Sequence, residues 1–320
     1  MTSDLSTPVR VIAFLSALVA VFGITLGAGR LFGPVETTPA SAVPGATAGH
    51  GHSAGPEASP SGSTEEEGAA EGEHTAHLPG GLQVSQDGHT LRLHHSDLAA
   101  GPRTPVDFVV EGPDGKPVTA YTPQHEKELH LIAVRRDFSG FQHVHPTRAA
   151  DGTWSTTLAL TPGTWRVFAD IAPRGGEPMT LGADLSVAGA YAPVAAQTKD
   201  VRTATVDGYT VTLAGGLTPG ADSELTLSVS SAGRPVTDLD PYLGAYGHLV
   251  ALRTGDLAYL HVHPEGHPGD GTTEPGPDIT FGAAVPSSGT YRLFLDFQHG
   301  GVVRTAAFIV SAGGQSGHSH

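Results

Sequence analysis

Two stretches of this chain are copies of each other. HLIAVRRDFSGFQHVHP, residues 130–146, lies over HLVALRTGDLAYLHVHP, residues 248–264, without a gap and with eight identities in seventeen positions. The likeness extends outward. Asp87-Gly88-His89-Thr90-Leu91 answers Asp207-Gly208-Tyr209-Thr210-Val211, Pro117-Val118-Thr119 answers Pro235-Val236-Thr237, and the segment Gly163 to Asp170 answers Gly289 to Asp296. A repeat of about 105 residues is a duplicated domain and not a solenoid turn. Whatever one copy folds into, the other must also be able to form.

Within a copy the pattern is of short apolar strands separated by turn signals: TLRLH, PVDFVVE, ELHLIAV, FQHVH, TWSTTLAL, TWRVFAD and LGADLSV. Seven such strands in about 100 residues predict an immunoglobulin-like β-sandwich. No window past Gly80 holds a 3.6-residue apolar period, so helix is minor. The expected fold class is all-β: two tandem immunoglobulin-like sandwiches, repeat 1 over 80–190 and repeat 2 over 203–313, joined by a linker at 191–202. Without a disulfide, the first sandwich must draw its core from Trp154, Trp165, Phe108, Phe168 and its aliphatic faces.

Ahead of the repeats, Val11 to Gly29 runs without a charge between Arg10 and Arg30, long enough for one crossing of a bilayer. This predicts a transmembrane signal anchor over 11–29 with residues 1–10 cytoplasmic and the repeats outside the cell. The alternative is secretion after cleavage near Ala42, in the small-residue site Ala40-Ser41-Ala42. Residues 30–79 read as a disordered linker: Pro34 to Pro79 carries seven glutamates and no Lys or Arg, too little apolar surface to order itself. His50, His52, His74 and His77 lie in it, and a tail at 314–320 carries His318 and His320. Gly51-His52-Ser53-Ala54-Gly55 matches G-x-S-x-G, but with no strand before it or helix after it no nucleophile elbow forms.

Composition narrows the chemistry. Seventeen basic against 32 acidic residues leave a net charge of -15, which excludes a general nucleic-acid binder. There is no cysteine, and Met1 and Met179 are the only methionines, so thiolate sites, disulfides and a Met-rich cuprous site are excluded. Histidine is the exception: 18 of them outnumber all Lys and Arg. Chemistry here runs on imidazole, carboxylate and hydroxyl.

The histidines concentrate in the copied segments as His130, His143 and His145, matched by His248, His261 and His263. In H-V-H on a strand both imidazoles project from one face. A hairpin centred near 137 and 138 sets His130 opposite His145, and one near 255 and 256 sets His248 opposite His263. Each trio then converges as a ligand set for Cu(II) or Zn(II) with an open position, which Asp170 or Asp296 is placed to fill as the copied carboxylate. The second copy has further donors in His267, Asp270, Glu274 and His299 and is the expected site if only one copy binds. Ile132 and Val134 share the His130 face, which sets the trio at the edge of the apolar core. A structural histidine, ring packed and nitrogen bonded to a carbonyl, is the competing reading. His94, His95 and His125 have no counterparts in the second copy and read as surface residues. No general base is copied beyond Asp170 and Asp296, which argues against an enzyme.

On the paired HVHP, and on Trp165 to Asp170 and Tyr291 to Asp296, the chain resembles a group of exported, membrane-anchored actinobacterial proteins with tandem HVHP-bearing sandwiches. It is also loosely similar to small periplasmic copper-handling sandwiches of the CopC and YtkA kinds. The resemblance implies an anchored extracytoplasmic protein, and lacking methionine ligands it departs from cuprous carriers. The expected function is membrane-tethered binding or handling of Cu(II) or Zn(II). The alternative is a non-enzymatic envelope interaction module, docking an envelope protein, in which the histidines are architecture.

Overall fold

A computed structural model of the chain describes residues 79–197 and 199–313, and every regular element among them is a strand. The expected anchor over 11–29, the linker up to residue 78 and the tail lie outside the described residues. Among the described residues no helix is long and apolar enough to cross a membrane.

The first repeat supplies β1 (Ser85–Gln86), β2 (His89–Leu93), β3 (Asp97–Ala99), β4 (Gly101–Glu111), β5 (Leu129–Arg135), β6 (Gln142–Val144), β7 (Thr147–Arg148), β8 (Trp154–Leu160), β9 (Gly163–Ile171) and β10 (Met179–Ala188). The second supplies β11 (Thr203–Val206), β12 (Tyr209–Gly215), β13 (Asp222–Ser231), β14 (Arg234–Pro235), β15 (Gly247–Arg253), β16 (Tyr259–Leu260), β17 (Val262–Pro264), β18 (Asp278–Ala284), β19 (Gly289–His299) and β20 (Val302–Ala312). Each repeat is a two-sheet sandwich, as the strand count predicts. In the first, β1-β2-β4-β8-β7 faces β3-β10-β9-β5-β6; in the second, β11-β12-β13-β18-β17, with β14 on β13, faces β16-β15-β19-β20.

Alternation along the strands builds each core. Phe108, Val110, Trp154 and Leu158 of one sheet meet Leu129, Leu131, Trp165 and Val167 of the other in the first repeat. Leu225, Leu227 and Phe281 meet Leu249, Tyr291, Leu293 and Phe308 in the second. Phe168 is absent from the first core, contrary to the sequence expectation. It belongs to a third apolar cluster, in which Ile132, Val134 and Phe168 of the first repeat pack on Val250, Leu252, Leu257, Tyr259 and Phe294 of the second.

This third cluster is the outer face of β5 and β9 laid against the outer face of β15 and β19. All seven residues of β5 are buried, as expected of a strand covered on both sides. Phe141 stacks on Phe294 with ring centroids 4.0 Å apart and 6° between planes. Each such side chain, fully buried, stabilises by about 1.5–3 kcal/mol, so the junction is a core and the two repeats form one compact unit. Gly182 admits the chain entering the first repeat: a Cβ there would lie 2.0 Å from the Gly81 carbonyl oxygen.

Candidate functional site

The polar end of this inter-repeat face holds the histidines. In β5 and β9 the register pairs His130 with Asp170, and in β15 and β19 it pairs His248 with Asp296. Both pairs sit on the faces that meet. Where the face of one repeat continues into Ile132 and Val134, the apolar neighbours of His130 are those of the other repeat; the trio therefore lies at the edge of the inter-repeat cluster and not of the first sandwich core.

The hairpin in the first repeat follows the expected register. Leu131 pairs with Val144 and Ile132 with His143, and one step beyond the ladder His130 Nδ1 lies 3.3 Å from His145 Nε2. Phe138, at φ 64, and Gly140, at φ 67, make the turn; a Cβ on Gly140 would strike the Trp165 ring at 2.5 Å. His143 Nε2 completes the group at 3.0 Å from His130 Nδ1. One ligating atom from each of His130, His143 and His145 lies within 4.8 Å of the others.

The second trio does not gather. The ladder between β15 and β16 has the same register, Ala251 with Leu260, but it ends there, and the strand crosses to pair with β18 as β17. His261 and His263 leave with it and are exposed, their rings 3.9 Å apart at 88°. His248 stays behind and stacks on the first trio, 5.2 Å from the His130 ring at 3° and 4.7 Å from the His143 ring. The expectation that the second copy is the better site is thus corrected: the compact trio is in the first copy, with His248 beside it. Two of the additional donors are engaged elsewhere. Asp270 accepts from the backbone of His267, Thr272 and Thr273, and His299 lies between Tyr209 and Asp238.

The carboxylates play different parts. Asp296 Oδ2 accepts from His143 Nδ1 at 2.8 Å, across the repeats, and Oδ1 accepts from Thr305. Asp170, its equivalent, accepts from Thr180 Oγ1 at 3.2 Å and lines a cavity of about 150 Å³ with Gln124, Tyr259 and His261; burial raises its pKa to about 6. Neither is placed as a direct ligand among the trio. His125, which sequence reading left on the surface, is half-buried with its ring 6.1 Å from that of His130 and 5.5 Å from that of His248. No counterpart in the second copy pointed to it. His94 and His95 are exposed, as expected.

Proton positions follow from the fixed partners. A carbonyl only accepts, so the contact of His130 Nε2 with Gln124 O at 2.9 Å places the proton on Nε2 and leaves a lone pair on Nδ1. His143 Nδ1 likewise donates to the Asp296 carboxylate. His143 Nε2 faces the His130 lone pair at 3.0 Å, with His145 Nε2 next to them. Burial keeps three of the imidazoles neutral: it lowers His130 to about 4, His145 to about 3, and His248 well below the ordinary histidine value.

Comparison with known proteins gives a family and no curated relative: none of the curated proteins matches. Among solved structures, the Escherichia coli adhesin FdeC is similar at 17% identity and a TM-score of 0.24, over 72% of this chain and 65% of the adhesin chain. A putative membrane anchored protein from Corynebacterium diphtheriae is similar at 10% identity and a TM-score of 0.22, over 72% of this chain and 60% of that one. The chain therefore spans less than two thirds of the length of either. Domains 4 and 5 of the S-layer protein SbsC match at 10% identity and a TM-score of 0.20, over 72% of this chain and 98% of that one. A family model described as a domain of unknown function, DUF8832, matches residues 83–189 and again 204–314, more than half of the sequence. The chain belongs to the DUF8832 family and carries its domain twice.

Proposed function

We propose that this is a membrane-tethered extracytoplasmic protein that holds one Cu(II) or Zn(II) ion at the junction of its two repeats. His130 Nδ1, His143 Nε2 and His145 Nε2 are the ligands, His248 stands at the fourth side, and Asp296 orients His143 from behind. The observation that carries this reading is the convergence of three imidazole nitrogens, with His143 Nε2 at 3.0 Å and His145 Nε2 at 3.3 Å from His130 Nδ1. Nitrogens bound at 2.0–2.1 Å to a tetrahedral ion stand about 3.3 Å apart, close to the separations found here. A carboxylate on the far nitrogen of a ligating histidine is the usual support for such a ligand. Tethering rests on the apolar run at 11–29 and the acidic linker after it.

Calorimetric titration of Zn(II) and Cu(II) into the full-length chain, alongside the double variant H130A/H143A, tests it. One ion per chain, lost in a variant that keeps its β-sheet circular dichroism, supports the reading. Absence of saturable binding by the folded wild type overturns it. That result would favour the second reading, a non-enzymatic envelope interaction module. Its support is the same burial, which lets a shared proton bridge His130 and His143 as part of the junction's architecture.

A further inference from the structure

The inter-repeat face carries a matched pair of arginines, one from each copy. Arg166 on β9 and Arg292 on β19 occupy the same place in the duplicated segments GTWR and GTYR. Arg166 is fully engaged. Its Nε and Nη2 donate to Gly81 O at 3.0 and 2.6 Å, Nη2 also donates to Leu82 O at 3.0 Å, and Nη1 donates to Asp184 at 2.8 Å. The acid is its cross-strand partner on β10.

Arg292 has none of this. Its cross-strand partner on β20 is Ile309, so the acid is missing from the sequence of the second copy. Its Nε is sealed from solvent with no hydrogen-bond partner, and among the described residues no side chain or carbonyl accepts from it. The guanidinium lies 5.6 Å from the centre of the Phe138 ring and lines a cavity of about 280 Å³ between the repeats, together with Val194, Ala196 and Thr254.

The other charged side chains at this cavity have partners. Arg136 shares Asp184 with Arg166, donating to it at 2.7 Å. Asp137 accepts from Arg135, from Ser139 and from the Val194 backbone, which occupies both of its oxygens. Arg292 therefore remains the guanidinium without an acceptor, beside Phe138, Val194 and Ala196 in a cavity also lined by Gln197 and Thr290. A half-buried guanidinium whose Nε is sealed without an acceptor is costly, and the acceptor that fits its planar fork is a carboxylate.

We infer that this cavity is a binding site for a small carboxylate with an apolar body, gripped by Arg292 and packed on Phe138, Val194 and Ala196. Its size, at the small end of ligand cavities, admits a short branched acid or the last residue of a peptide. A dianionic phosphate is disfavoured by the net charge of -15. The site is independent of the histidine cluster and shares no residue with it.

The test is calorimetric titration of the full-length chain with sodium 3-methylbutanoate, with 3-methylbutanamide, with inorganic phosphate, and with acetyl-Gly-Gly-Val as the free acid and as the amide. The expected result is saturable binding of the free acids at one per chain, no binding of either amide, and affinity for the acids reduced at least about tenfold in Arg292→Gln. Tighter binding of the peptide acid than of 3-methylbutanoate assigns the site to a protein C-terminus; equal binding assigns it to a free acid. Absence of acid binding, equal binding of acid and amide, or tighter binding of phosphate overturns the inference. The amide comparison is made on the wild type, so the test stands even where Arg292→Gln fails to fold.

Discussion

His143 of the first repeat and Asp296 of the second are joined across the junction, Nδ1 to Oδ2 at 2.8 Å, with their side chains 1% and 4% exposed. They lie 153 residues apart in the chain. Through this contact the second repeat holds the Nδ1–H of a histidine in the first and turns its Nε2 toward His130. Asp296→Asn keeps the shape and removes the charge that holds the Nδ1 proton. We expect it to weaken Zn(II) or Cu(II) binding about 10- to 100-fold while leaving the stoichiometry at one. Isothermal titration reads this directly, and an unchanged affinity would remove Asp296 from the site.

The departure of β17 to the other sheet predicts an asymmetry between the two copied trios. His261→Ala with His263→Ala should leave the single ion and its affinity within about twofold, because both rings are exposed and outside the cluster. His143→Ala should abolish the ion. The same titrations measure both, and loss of binding in the first double variant would contradict the site as drawn.

Burial of neutral imidazoles makes metal-free stability depend on pH. His130, lowered to about 4, His145, lowered to about 3, and His248, lowered well below the ordinary value, bind protons in the unfolded chain near pH 6.5 but not in the folded one. Between these values the unfolded state holds more protons, so stability falls as the pH drops from 6.5 toward 4. Asp170, raised to about 6, acts oppositely: its contribution is present below the unfolded carboxylate pKa and is lost as pH rises through 6. Three histidines outweigh one carboxylate. Urea midpoints of the chelator-treated protein should therefore decline over this window, and a flat profile would mean that the cluster is not buried as described.

The third apolar cluster makes a mechanical prediction. Phe294 is 5% exposed and stacked on Phe141, so Phe294→Ala leaves a cavity between the repeats and should cost about 3–5 kcal/mol. Because that cavity lies at the junction and not in a sandwich core, each sandwich retains its own core residues. Unfolding followed by tryptophan fluorescence, which reports the first repeat through Trp154 and Trp165, should part from unfolding followed by far-ultraviolet circular dichroism. Coincident transitions at the wild-type midpoint would refute a structural role for the junction.

Much of this molecule is written locally. The gapless match of 130–146 with 248–264 declares the duplication, and period-two alternation with Gly and Asp turns declares the strands and the two sandwich cores. The facing of His130 and His145 also follows from the chain alone, because strand register fixes which residues oppose each other over one short hairpin. Even the run Leu129 to Arg135, apolar on both alternating faces, carries the signal of a strand covered on two sides.

What covers the second side is not a local property. Only the tertiary structure lays the outer face of β5 and β9 on that of β15 and β19, which moves Phe168 out of the first core and draws in His248 and His125. It also breaks the symmetry of the repeats. Identical HVHP segments end in different places because the β15–β16 ladder stops two pairs earlier than the β5–β6 ladder and β17 finds its hydrogen bonds on β18. Equivalent residues thereby meet unlike partners: Asp296 meets His143 while Asp170 faces a cavity, and Arg166 meets Asp184 while Arg292 meets Ile309. The sequence by itself determined the two domains and their strands, since those depend on neighbours a few residues away. The surroundings of the His130, His143 and His145 trio were decided by the docking of one copy on the other, since His248 and Asp296 lie more than a hundred residues away and reach it only when both apolar faces are buried together.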